Sequence, residues 1–145
     1  MHSKVFIGVD PDVEKNGVAI WEPETKELTL RNDRFFELYG FLYSYCGICG
    51  KPVLVVIEGG WLNQKSNWHN EYQGVSAAAR VAKNTGANHQ VGKLIVEMCQ
   101  WLQLPYEVVR PQSSKIKSDV FAKITKYKGR TNQEQRDAAM LVFGR

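Results

Sequence analysis

Four acidic residues stand where a divalent cation could be held. Asp10 directly follows the apolar run Val5–Val9, and Glu58 directly follows Val53–Ile57. In open sheets, ligand chemistry gathers outside the carboxyl ends of the strands. A carboxylate there leaves the core while its backbone stays fixed. Two such groups on adjacent strands would share a cation that takes oxygen ligands, such as magnesium. Glu134 and Asp137 are three residues apart, hence on one face of a helix. Leu141 follows a turn later, so that face passes from acidic to apolar and points toward the sheet. A charged pair heading a buried stripe is costly unless it is paired or bound to metal. Each acid alone has a plainer reading. Asp10 before Pro11 suits a turn, Glu58 before Gly59-Gly60 suits a solvent-facing strand end, and Glu134 suits a helix start. Together they would require a coincidence. Such carboxylates with two metal ions can activate water and stabilise the leaving oxygen of a phosphodiester.

The elements that must position these acids follow from periodicity. Val5–Val9, Val18–Trp21 and Glu27–Leu30 read as strands close enough to form an antiparallel meander. Phe35, Leu38, Phe41, Leu42 and Tyr45 keep helical spacing. The continuous apolar run after Pro52 reads as a central parallel strand. Residues 59–73, with Trp61, Trp68, His69 and Tyr72, read as an irregular insert. Val75–Lys83 forms a short helix, Gly86 interrupts it, and Asn88 caps a second helix carrying Val91, Leu94, Ile95, Met98 and Leu102. Tyr106–Val109 is a last strand. Ser118 caps a helix with Val120, Phe121, Ile124 and Tyr127, and Asn132 with Gln135 opens the final helix as a capping box. The order β-β-β-α-β-α-β-α predicts an α/β protein whose mixed sheet carries helices on both faces. A chain of 145 residues suits one such domain, spanning 1–145.

Charge points to the partner. From Arg110 to Arg136 there are eight basic residues and two acidic ones, whereas the rest of the chain holds eleven basic and thirteen acidic. A basic segment on a near-neutral body suggests a polyanion such as nucleic acid. No apolar run approaches the ~20 residues that span a bilayer, and the N-terminus lacks the apolar region and cleavage site of a signal peptide. The expected setting is therefore the cytoplasm, without a membrane partner. Cys46 and Cys49 have the spacing of a zinc half-site or a redox pair. No second pair completes a four-ligand site, and no thioredoxin-like context surrounds them, so reduced thiols at a helix end are favoured.

The acidic pattern resembles a known family. Val5-Phe6-Ile7-Gly8-Val9-Asp10-Pro11, followed by Asn16-Gly17-Val18-Ala19-Ile20, looks like the opening motif of RuvC-type Holliday junction resolvases. Val56-Ile57-Glu58 resembles their second motif, and Glu134-Gln135-Arg136-Asp137-Ala138-Ala139 their third. The likeness runs from Lys4 to Phe143. It implies a ribonuclease H-like fold, a homodimer, two magnesium ions that manganese can replace, and nicking of four-way DNA junctions. By motif, Asp10, Glu58, Glu134 and Asp137 would be the catalytic metal ligands. Trp61 matches an aromatic near the junction centre, and Lys115 falls where the family has substrate-contacting lysines. The rest of that basic run (Lys117, Lys123, Lys126, Lys128 and Arg130) would meet phosphates. Three features depart from the family pattern: Asp12 replaces a glycine, Glu134 stands where aspartate is usual, and the segment after Glu58 is longer.

Other readings keep the fold and change the task. The protein could act on RNA or other structured nucleic acid, as the YqgF family does, or bind nucleic acid without cutting it. Actin-like sugar kinases open with a similar strand and aspartate, but they need two large domains to enclose ATP. Asp12 also stands where phosphate would want glycine amides, so no nucleotide cofactor is expected.

Overall fold

The computed structural model describes residues 3–63, 75–112 and 114–145. Trp68, His69 and Tyr72 of the predicted insert lie outside them. The strands are β1 (Val5–Asp10), β2 (Asn16–Glu22), β3 (Glu27–Asp33), β4 (Val53–Glu58) and β5 (Tyr106–Val109). The helices are α1 (Phe35–Ile48), α2 (Val75–Trp101), α3 (Ser118–Thr125) and α4 (Gln133–Val142), with a 3-10 turn at Gly60–Leu62. The strands form one sheet in the order β3-β2-β1-β4-β5. β1 and β2 pair antiparallel, as do β2 and β3, while β4 runs parallel to β1 and β5 parallel to β4.

Side chains alternate between the faces of a strand, and both faces here are covered. Val5, Ile7 and Val9 of β1, with Val53, Val55 and Ile57 of β4, pack under Leu38 and Leu42 of α1 and Ile95, Met98 and Cys99 of α2. Leu54 and Val56 turn the other way, to Phe121 of α3 and to Ala138, Ala139 and Val142 of α4. This double burial explains why the β1 and β4 sequences are apolar without alternation.

Two local expectations change. No break occurs at Gly86, and α2 runs unbroken from Val75 to Trp101. An interior glycine costs about 1 kcal/mol relative to alanine, and the burial of Ile95, Met98 and Cys99 outweighs that. Asn88 is therefore not a cap; its Oδ1 accepts the Val13 N–H at 3.0 Å and ties α2 to the β1–β2 turn. Ser118 is the first residue of α3, and the cap position belongs to Lys117 without a side-chain cap bond. The final helix starts as the sequence suggests. Asn132 Oδ1 accepts the Gln135 N–H at 2.9 Å, and Gln135 Oε1 accepts the Asn132 N–H at 3.1 Å. All three cysteines are free thiols, and burial pushes Cys46 up to about 11 and Cys99 up to about 12. Among the described residues, no helix is long and apolar enough to cross a membrane.

Candidate metal centre and nucleic-acid interface

Strand parity aims the first two acids. Asp10 continues the face of Phe6 and Gly8, and Glu58 continues that of Leu54 and Val56, so both carboxylates emerge on the α4 side. The β1–β4 register runs Val5 opposite Val53 through Val9 opposite Ile57, which brings the two strand ends side by side. Two glycines let α4 settle close above them. A Cβ on Gly8 would lie 2.2 Å from the Ala138 carbonyl oxygen, and one on Gly17 would lie 2.0 Å from that of Glu134. Only a residue without a Cβ permits such an approach.

The result is a three-carboxylate cluster. Asp10, Glu58 and Asp137 each present an oxygen, and these oxygens lie within 4.8 Å of one another. Glu134 stands outside that group: its backbone covers Gly17, the partner of Asp10 in the β1–β2 ladder. Like charges in a half-buried site disfavour ionisation. Burial first, then the charges of Glu58 and Asp137, push Asp10 up to about 9. Burial also raises Glu58, an effect that a hydrogen bond from Asp10 and then the charge of Lys115 partly offset.

Lys115 closes the cluster. Its Nζ meets Asp137 Oδ2 at 2.5 Å. Burial works against its charge, but the bond to Asp137 and the charges of Glu58 and Asp10 outweigh that and raise its pKa. Asp137 Oδ1 accepts from Gln133 Nε2 at 2.7 Å, and Gln133 Oε1 accepts from Arg136 at 3.0 Å. Arg136 also donates to the Ile116 carbonyl at 2.9 Å, which fastens the segment bearing Lys115 to α4. Three carboxylates against one ammonium leave negative charge uncompensated, and hard oxygen donors in that state suit a divalent cation.

The remaining candidates are dispersed. Asp12 serves its own turn: Oδ1 accepts the Glu14 N–H at 2.8 Å, while its N–H donates to buried Asn16. Trp61 is half-buried, its ring laid where a Cβ on Gly92 would come within 2.4 Å. This is the packing arrangement that competes with base stacking for the residue. Lys117, Lys123, Lys126, Lys128 and Arg130 are all exposed. Glu58 divides two hollows. One also contains Lys115 and Asp137. The other, about 170 Å3, lies between Asp10 and Glu58 on one side and Thr85, Asn88 and His89 on the other. His89 rests edge-on to Trp61, and burial, then Lys93, lowers its pKa. Sequence reading missed these three residues because it divided the helix at Gly86. Their spacing of 85, 88 and 89 was the available signal.

A mixed five-stranded sheet with this order, carboxylates ending its two central parallel strands and helices on both faces, has the ribonuclease H-like fold. A similar solved structure is Thermus thermophilus RuvC in complex with a Holliday junction substrate. It has a TM-score of 0.57 and 12% sequence identity, over 96% of this chain and 90% of that one. Another structure of Thermus thermophilus RuvC has a TM-score of 0.43 and 16% identity, over 94% and 90% of the two chains. No family model and no curated protein matches the chain. The likeness is thus one of fold, and it agrees with the architecture the sequence motifs imply.

Proposed function

We propose that the protein is a divalent-metal-dependent endonuclease that nicks branched DNA, with four-way junctions as its principal substrate. The observation that carries this reading is the convergence of Asp10, Glu58 and Asp137 within 4.8 Å at the carboxyl edge of the sheet. These three residues would hold magnesium, or manganese in its place, and Glu134 would join them from the first turn of α4. When bound, two such ions would supply Lewis acidity to the scissile phosphate and a nucleophile from water. The chain's own residues orient and neutralise. Gln133 fixes the Asp137 carboxylate, and Lys115 offers an ammonium to the phosphate once the cation takes over its partner. The exposed lysines from Lys117 to Lys128, with Arg130, would carry the flanking phosphates.

A four-way junction is two-fold symmetric, so paired nicks call for two active sites. The α1–α2 face supports a second copy of this chain as the partner. Phe36, Tyr43 and Trp101 are 81%, 67% and 80% exposed there. Beside them lie apolar hollows of about 340 and 410 Å3, each having Tyr39 and Trp101 on its wall. Projecting rings next to hollows on the same patch are what a self-complementary two-fold interface requires. Large aromatics bury ~150–250 Å2 each, so together with Tyr39 and Leu94 the patch approaches the ~800 Å2 per partner of a standard interface.

The decisive experiment offers four-way junctions, flaps, RNA–DNA hybrids and linear duplex to the protein with magnesium, manganese or EDTA. Junction nicking that requires metal and is lost in Asp10→Asn and Glu58→Gln is expected. Preferred cutting of hybrids would move the substrate to RNA, and metal-independent or absent cutting would reject the nuclease.

A further inference from the structure

We propose that the hollow between the carboxylates and α2 is a base-recognition pocket: Thr85, Asn88 and His89 bind the nucleobase next to the cleaved phosphate. The inference rests on the nuclease reading above and adds to it the part of the protein that selects where the nick falls.

The hollow measures about 170 Å3, and Asp10 and Glu58 form one wall of it. A strand whose phosphate sits at those carboxylates must place a neighbouring nucleoside to one side or the other of Glu58. The two sides differ in charge. Lys115 stands on one, whereas the wall of the other holds two carboxylates and no lysine or arginine among the described residues. On the first side Lys115 partly offsets Glu58 and Asp137, so a phosphate is opposed less there than on the second, where no cation faces Asp10 and Glu58. What the second side can accept is the uncharged, hydrogen-bonding part of a nucleotide.

The α2 wall is suited to that. Residues 85, 88 and 89 fall on one helical face, which turns apolar further along at Ile95 and Cys99 where it meets the core. All three polar side chains are half-buried. Asn88 spends its Oδ1 on the Val13 N–H, which fixes the side chain, and its amide donates to no atom among the described residues. Thr85 offers a hydroxyl, and a neutral imidazole offers one donor and one acceptor. His89 is held in place by its neighbours. Its ring lies edge-on to Trp61, and a Cβ on Gly60 would meet its Nε2 at 2.8 Å. A fixed amide with fixed rings can discriminate between base edges, while a mobile set could not.

The test uses a pool of four-way junctions randomised around the crossover, nicked by the full chain with magnesium and sequenced at the cut. Thr85→Val and His89→Phe keep shape and remove hydrogen bonding; thermal melts check their folding. The parent should favour particular bases beside the nick. Each variant should flatten that preference by about tenfold, the discrimination one good base contact provides. Preference retained in both folded variants overturns the pocket, as does a parent that nicks without regard to the adjacent base. If a variant fails to fold, Gly60→Ala, whose new methyl displaces His89 from the facing wall of the hollow, must flatten the same preference or the pocket is rejected. A parent that nicks none of the pool rejects the nuclease reading and the pocket with it.

Discussion

Burial and the charges of Glu58 and Asp137 keep a proton on Asp10 up to about 9, whereas the ordinary value is 3.8. Between those values the folded protein binds more protons than the unfolded chain. Asp10 therefore contributes stability that is fully present below the lower value and is lost as pH rises toward the upper one. Metal-free protein should melt progressively lower from pH 5 to pH 8.5. Asp10→Asn, which removes the buried charge, should melt higher than the parent at the alkaline end while cutting falls by orders of magnitude. Thermal melts in EDTA across that range check this, and parallel pH profiles for parent and variant would contradict it. A cation competes with the same proton, so metal-induced stabilisation should grow over the same window. Trp61 offers a second residue-level test. Its ring packs on Gly92, so Trp61→Ala should cost about 2 kcal/mol, less than the ~3–5 of a fully buried aromatic. Unchanged stability with weakened junction binding would instead make it a stacking residue alone.

Helix α4 is the element on which the site depends, because it brings Asp137 to two strand ends more than seventy residues upstream. The close approach at Gly8 makes that placement fragile. In Gly8→Val the new Cβ would sit 2.2 Å from the Ala138 carbonyl oxygen, a backbone atom held by its helix. The helix must lift, at a cost of at least the ~1–3 kcal/mol typical of overpacking. Nicking should fall more steeply than duplex affinity, since the exposed lysines are untouched. Gly40 of α1 supplies the control: nothing lies within 4 Å of a Cβ there. Gly40→Ala should gain ~0.5–1 kcal/mol from helix propensity. Denaturant melts of the two variants beside nicking assays decide the matter; equal behaviour would mean that α4 is not held by that contact.

At the scale of the whole molecule, the basic run and the exposed aromatic rings are segregated. The basic run lies with α3 and α4, and the exposed aromatics lie across the sheet on α1 and α2. One side thus suits DNA and the other a second subunit. Replacing Lys123, Lys126 and Lys128 with alanine should weaken binding to all sequences alike. It should also reduce the log–log salt slope by about 0.9 for each duplex phosphate no longer neutralised. Fluorescence titrations at several salt concentrations measure it, and an unchanged slope removes these lysines from the interface. Trp101→Glu, changing a side chain that is 80% exposed, should turn a dimer into a folded monomer in sedimentation. A parent already monomeric at micromolar concentration would rule out this interface.

Local rules were enough for much of this protein. Continuous apolar runs marked β1 and β4 because both faces of those strands are covered, and Asn132 with Gln135 marked the start of α4 because a cap depends on neighbours three residues apart. The acids at the strand ends were legible for the same reason: a strand's last residue is where a side chain can leave the core. Other features depended on contacts between distant segments. Asp12 and Asp10 differ by two positions in sequence, yet only the bonds to Glu14 and Asn16 assign Asp12 to its own turn. Lys115 read as a substrate-contacting lysine, and only the fold, with the Arg136–Ile116 bond beside it, brings it to Asp137. The unbroken α2 overrode a glycine because burial of its far end outweighs local propensity, and that burial is a tertiary quantity. Periodicity reports which way a side chain points; only the packed fold decides which other side chain it meets.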